Sequence, residues 1–246
     1  MKLKAMLRWY LENSAITVSV MTGIVILMWL VRIVLYFTMD GAVVINGLEF
    51  SIFVTMFVAG IVLFASGFRF GCINGVSRRT VFKGFLCNAL VVNGSMAAVY
   101  TLLLFVDGLI FRGGDDTSVV YWLMQDLFGI ENTLLAIPLY FLITFVFYLS
   151  ATLLGYPIAG VFYRLSRVGR VLWAAGLPIS LTVILPTLIM LLPEGIQSWL
   201  SAALESLIDF LFHSPLNLLL FGAVICLLGA VGGWLLLRRA PLKAAS

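Results

Sequence analysis

Residues 50–83 read FSIFVTMFVAGIVLFASGFRFGCINGVSRRTVFK, and this stretch decides the fold. From Phe50 to Phe70 the chain is almost wholly apolar, with one charge, Arg69, near the end of the run. A helix needs about 20 such residues to cross the hydrocarbon core of a bilayer. The run is continuous rather than alternating, so it reads as a membrane helix and not as a barrel strand. It ends on Asn74-Gly75, a turn signal, and on three cations, Arg78, Arg79 and Lys83. A span that empties into a short cationic loop has that loop on the cytoplasmic side.

Working outward, the same reading gives six spans, at 15–37, 50–70, 84–110, 133–162, 171–192 and 215–237. Hydrophobic residues make up 63% of the 246, and charged residues only 11%. Soluble domains carry about 25% charged residues, so no water-facing surface can be built from this chain. The apolar run of the first span, Ile16 to Val31, is too long for a cleavable leader, and no small-residue cleavage site follows it. The expected fold is therefore all-α: one membrane domain over residues 1–246, with both termini cytoplasmic.

The charges test this count. With the N-terminus inside, the inner set is Lys2, Lys4, Arg8, Arg69, Arg78, Arg79, Lys83, Arg164, Arg167, Arg170, Arg238, Arg239 and Lys243, thirteen of the 15 basic residues. Only Arg32 and Arg112 fall in the outer half. Of the 11 acids, Glu12 alone is inner; Asp40, Glu49, Asp107, Asp115, Asp116, Asp126, Glu131, Glu194, Glu205 and Asp209 are outer. A missed or extra helix would swap the sides beyond the error and scramble this segregation. The basic bias thus reflects topology and not a nucleic-acid partner.

Between the spans, Lys2–Asn13 carries Leu3, Met6, Leu7 and Tyr10 on one helical face, which suits a helix lying in the inner interface; the alternative is a plain basic flank. Gly113-Gly114-Asp115-Asp116 reads as an outer turn, followed by an aromatic group, Tyr121, Trp122 and Phe128, for the outer interface. Between the last two spans, Ile196, Trp199, Leu200, Ala203, Leu204, Leu207, Ile208 and Leu211 recur at helical spacing. Polar residues fill the opposite face. This outer amphipathic helix is expected at the interface or over the mouth of the bundle.

Chemistry is sparse. The single His213 and the separated Cys72, Cys87 and Cys226 make no metal cluster and no disulfide framework; the thiols are expected to be buried and inert. No phosphate loop, H-E-x-x-H or G-x-S-x-G occurs, so the chain is expected to be no enzyme and to bind no cofactor itself. No charge sits at the centre of a span, which disfavours a gradient-driven carrier. Arg32 and Asp107 lie near outer span ends; snorkelling to the interface is the expectation, an Arg32–Asp107 pair the alternative. Pro138, Pro157, Pro178 and Pro186 bend or break spans four and five. Gly229, Gly232 and Gly233 read as helix-packing residues.

The layout resembles the permease subunits of type-2 ATP-binding-cassette (ABC) transporters, mostly bacterial exporters. The resemblance is carried by the six-span layout, by Asn74-Gly75-Val76-Ser77-Arg78-Arg79-Thr80-Val81-Phe82 in the first inner loop, and by the ending Trp234-Leu235-Leu236-Leu237-Arg238-Arg239-Ala240-Pro241-Leu242-Lys243. It implies an exporter of a peptide or lipid-like substrate in the plasma (inner) membrane, with antimicrobial-peptide resistance or self-immunity as a role. It implies partners too: an ATPase subunit dimer that holds the ATP, and a second copy or a related permease. The loop Asn74, Gly75, Val76, Ser77, Arg78, Arg79, Thr80, Phe82 and Lys83 would be the coupling helix seated on the ATPase, with Ser77 as its cap. Spans two and five would line the path, through Ser51, Thr55, Gly60, Pro178, Ser180, Thr182 and Pro186. The competing readings are a non-transporting sensor or assembly subunit and, behind it, a gradient-driven carrier.

Overall fold

The computed structural model describes residues 2–38, 47–110, 128–129, 136–166, 168–170, 172–173, 176, 180, 182 and 185–240. Among the described residues seven α-helices run in chain order: α1 (Lys2–Thr38), α2 (Leu48–Ile73), α3 (Arg78–Ile110), α4 (Ile137–Arg164), α5 (Leu185–Met190), α6 (Glu194–Phe212) and α7 (Pro215–Arg238). Among the described residues there is no strand. Among the described residues five helices, α1, α2, α3, α4 and α7, are long and apolar enough to cross a membrane. Their outward faces carry aliphatic side chains such as Ile16, Val20, Val62, Leu102 and Leu216 in the open, as expected where the solvent is lipid rather than water. The chain is an all-helical, multi-pass membrane protein. Part of the expected span 171–192, the Gly113-Gly114-Asp115-Asp116 turn, Tyr121, Trp122 and Pro178 lie outside the described residues.

The helices outrun the hydropathy. α1 is one unbroken helix from Lys2, so Lys2–Asn13 is not a separate in-plane helix. Its buried face, Met6, Tyr10, Ser14, Met21, Val25 and Arg32, repeats at four- and seven-residue intervals along the whole length. Met6 and Tyr10, expected in lipid, instead enter the core beside Phe68, Phe85 and Tyr156. At about 1.5 Å per residue α1 spans roughly 55 Å, far beyond the hydrocarbon thickness. Pro138 does not kink a span: it occupies the first turn of α4, where the missing amide costs nothing.

α4 is the hub, packing on α2, α3 and α7, while α1 lies along α3. Hydrophobic attraction between helices is weak in lipid, so close backbone approach sets the association. Two glycines make the α2–α4 contact reciprocal. A Cβ at Gly60 would lie 2.2 Å from Thr152 O, and one at Gly155 would lie 2.2 Å from Phe57 O. Pro157 lacks the amide that would bond Leu153 O, and Gly229 of α7 lies against that same oxygen, where a Cβ would come to 2.7 Å. Gly233 faces Tyr156 at similar range, so both glycines pack as expected. Two buried clusters result: one around Val25, Ile52, Met56, Met96 and Tyr148, the other around Tyr10, Phe64, Phe85, Tyr156 and Leu237.

Gly155→Val should drive the α2 and α4 backbones apart and cost more than the ~1–3 kcal/mol of ordinary overpacking. The melting midpoint in mild detergent should fall sharply. Gly94→Ala, whose added carbon would meet nothing nearer than the Phe145 ring at 3.8 Å, should leave it unchanged or raise it. Equal midpoints for the two variants would show that the α2–α4 crossing is absent.

Candidate functional site

Three places gather polar chemistry. The first is the basic end of the bundle. α2 closes on a paired C-terminal motif: Gly75 takes φ +61°, Val76 N donates to Gly71 O at 2.8 Å, and Gly75 N donates to Cys72 O at 3.2 Å. These bonds satisfy the last carbonyls of the helix, and glycine enters the left-handed conformation without strain. Ser77 then caps α3: its Oγ accepts from Thr80 N at 3.3 Å and lies 2.9 Å from Thr80 Oγ1. The connection is thus only Asn74, Gly75, Val76 and Ser77. Between α2 and α3 there is no separate helix. The expected short helix is the first turns of α3 itself, and Ser77 is its cap.

The turn is tied to its neighbours. Lys2 Nζ donates to Gly75 O at 3.0 Å, and Arg164 Nη2 donates to Leu236 O at 2.7 Å. Arg78 Nη1 donates to Arg238 O and its guanidinium lies over the Phe68 ring, 5.6 Å from the centroid. Arg78 therefore fastens α3 to the C-terminus of α7. Arg79 and Lys83 are exposed, as are Asn74, Gly75 and Ile73; Ile73 is 85% exposed. Val76 and Thr80 are half-buried, and Phe82 leans on Trp234, with ring centroids 5.6 Å apart. Glu12 is an acid at this end, paired with Arg8 at 2.7 Å.

The second place lies toward the opposite end. Arg32 Nη1 donates to Asp107 Oδ2 at 2.9 Å, and Trp29 Nε1 donates to Asp107 Oδ1 at 2.6 Å. Arg32 and Glu49 are each 5% exposed, and Glu49, in the first turn of α2, is close enough for its charge to act on Asp107. Arg32 does not snorkel. It is buried because Asp107 stands on the facing helix at the same depth, and a charge in lipid is better satisfied by a fixed carboxylate than by a bent side chain. Glu49, placed by sequence in an outer loop, belongs to this cluster.

The third place is a cavity of about 350 Å3 between α1 and α2, floored by α3 and by Thr152 of α4. Of the expected path residues, Thr55 lines it. Gly60 does not: it is buried against Thr152 as a packing contact. Ser51 is exposed at the start of α2, its Oγ donating to Gly47 O at 3.3 Å. Thr182 and Pro186 are exposed and Ser180 is half-buried, all away from this cavity. Polar residues that sequence reading passed over stand at or beside the floor: Asn88 Nδ2 donates to Ser14 Oγ at 3.0 Å, and Asn93 Nδ2 donates to Thr152 Oγ1 at 3.0 Å. Two asparagines inside an apolar span were the available signal.

The outer amphipathic helix is α6. It starts after Pro193 and ends at His213, and none of its residues is buried. Trp199, Leu204, Leu207 and Ile208 are exposed and Leu200 half-buried, so α6 does not pack over this chain's bundle. His213 is exposed beside Ser214, which caps α7. The thiols are not all buried: Cys87 is exposed, Cys72 and Cys226 partly so. Phe128 packs against the core instead of resting at the interface. No protein-family model matches the chain, and neither a curated protein nor a solved structure is significantly similar to it.

Removing one partner of a buried ion pair costs about 3–5 kcal/mol. Arg32→Leu would leave Asp107 a carboxylate without its cation, so its loss of thermal stability should reach that range. Asp107→Asn should cost distinctly less, because the amide oxygen still accepts from Trp29. The reverse order of melting midpoints would contradict the cluster.

Proposed function

We propose that the chain is the membrane-spanning permease subunit of an ABC exporter, moving a peptide or lipid-like substrate outward with ATP hydrolysed on a separate ATPase subunit. In this reading two permeases, identical or related, sit side by side in the plasma membrane, each over one ATPase. The observation that carries it is the Asn74–Ser77 turn. Beside it stand an exposed apolar residue, Ile73 at the end of α2, and two exposed cations, Arg79 and Lys83 of α3, at the end of the bundle where the basic residues collect. By the positive-inside rule that end faces the cytoplasm.

An apolar tip ringed by cations suits a groove with acidic walls on a soluble partner, where opposite charge guides docking and burial of Ile73 supplies affinity. The turn is also built to transmit force. Two capping motifs make α2 and α3 continuous with it, and Lys2 and Arg78 bind it to α1 and α7. A push on the turn would be carried by rigid helices to the level of the cavity and of Arg32–Asp107. Lining residues that are uncharged and mostly aliphatic fit an amphipathic cargo better than a charged solute.

Arg79→Glu with Lys83→Glu should abolish copurification of the ATPase in mild detergent, and ATP-dependent transport in liposomes with it. The folded permease should be unaffected, because both side chains are exposed. Retention of ATPase binding and transport by this variant would overturn the docking assignment. Arg78 is not a useful probe, since its loss would also unfasten α7.

A further inference from the structure

The open side of the cavity between α1 and α2 changes character along the helix axis. Val54, Val58 and Val62 of α2 stand exposed at its rim. Seven residues after Val62, two helical turns and about 10 Å on, the same face of α2 carries Arg69, also exposed. On the facing wall α1 lines the cavity with Asn13 and Thr17, both exposed. One turn before Asn13, Trp9 stacks on Phe70, with ring centroids 4.5 Å apart. The two helices therefore touch at the level of Arg69, and the groove opens above that contact. Other cations of this end are engaged: Lys2, Arg78 and Arg164 donate to helix carbonyls, and Arg8 pairs with Glu12.

We propose that the groove seats one chain of an anionic phospholipid from the leaflet at the basic end, the chain lying along the three valines and the headgroup phosphate on Arg69. The fit is end to end. An aliphatic slot open to the bilayer takes the chain, and a guanidinium two turns below it takes the phosphate, which its planar fork can bond in pairs. Asn13, one turn above the Trp9–Phe70 contact, stands at the depth of the ester carbonyls and offers them an amide. The rival occupant is a second copy of the chain. Related by a two-fold axis along the membrane normal, it would bring the Arg69 side chains of both copies to one depth on one face, cation against cation.

The test needs no ATPase, so it succeeds or fails independently of the permease reading. The full chain in nanodiscs is photolabelled with a trace of phosphatidylglycerol carrying a diazirine in one acyl chain, and the labelled peptides are mapped by mass spectrometry. Label should concentrate on residues 13–17 of α1 and 54–62 of α2. Unlabelled phosphatidylglycerol should compete about fivefold better than phosphatidylcholine of the same chains, the worth of one cation at an anionic headgroup. Arg69→Gln should bring the two competitors level, and Val58→Trp should abolish groove labelling. Both residues are exposed, so both variants keep the fold. Arg79→Gln with Lys83→Gln, away from the groove, should leave the preference unchanged. Label spread evenly over the lipid-facing helices, or equal competition in the unsubstituted chain, would overturn the site. So would a preference that survives Arg69→Gln, or one lost in the Arg79 and Lys83 variant, which would mean diffuse attraction to the basic end. A disulfide-linked dimer formed by Val58→Cys and not by the unsubstituted chain would give the groove to a second copy and overturn the lipid.

Discussion

The reciprocal contact of α2 with α4 at Gly60 and Gly155 is the constraint on which the remaining arrangement depends. In lipid, apolar side chains gain little by leaving their solvent, so helices associate where backbones can meet. Here each glycine admits a carbonyl of the other helix. That crossing sets the depth of Thr152, which with Asn88 floors the cavity. It also fixes α4, on which α7 is then laid at Gly229 and Gly233. The proline at 157 belongs to the same logic: the carbonyl it orphans is covered by a glycine of the next helix.

Charge is handled by a different rule at each end. At the basic end, cations are used singly, as donors to the last carbonyls of neighbouring helices: Lys2 to Gly75, Arg164 to Leu236, Arg78 to Arg238. Helix C-termini carry partial negative charge, so each contact satisfies both a hydrogen bond and a dipole. Toward the other end Arg32 is buried with carboxylates, joining α1, α2 and α3 by a cluster that lipid makes costly to open. Both devices stiffen the bundle along its axis.

The spans 50–70 and 215–237 were legible because a lipid-crossing helix must be apolar for its full crossing. Their extensions were not. Hydropathy falls where α1 and α3 leave the lipid, although the helices continue, so Lys2–Asn13 read as a separate element and Arg78–Lys83 as loop. A three-and-four spacing of Leu3, Met6, Leu7 and Tyr10 is the same whether the stripe meets lipid or protein; only the position of Phe68 and Phe85 decides it. Gly60 likewise reads as a path residue or a packing residue until the facing helix is known. Arg32 and Asp107 were both visible, but their pairing depends on two helices presenting them at one depth. The Ser77 cap and the Asn74-Gly75 turn were local, and so were readable in place.

The central claim, that a partner ATPase seats on the Asn74–Ser77 turn, is tested most directly by site-specific photocrosslinking in cells. A benzoylphenylalanine is placed at Ile73, with Trp199 of α6 as the comparison site. The account predicts that Ile73 captures a protein carrying a phosphate-binding loop, in a yield that changes when ATP is trapped on it, and that Trp199 does not. Capture of that protein from Trp199, or none from Ile73, would contradict it.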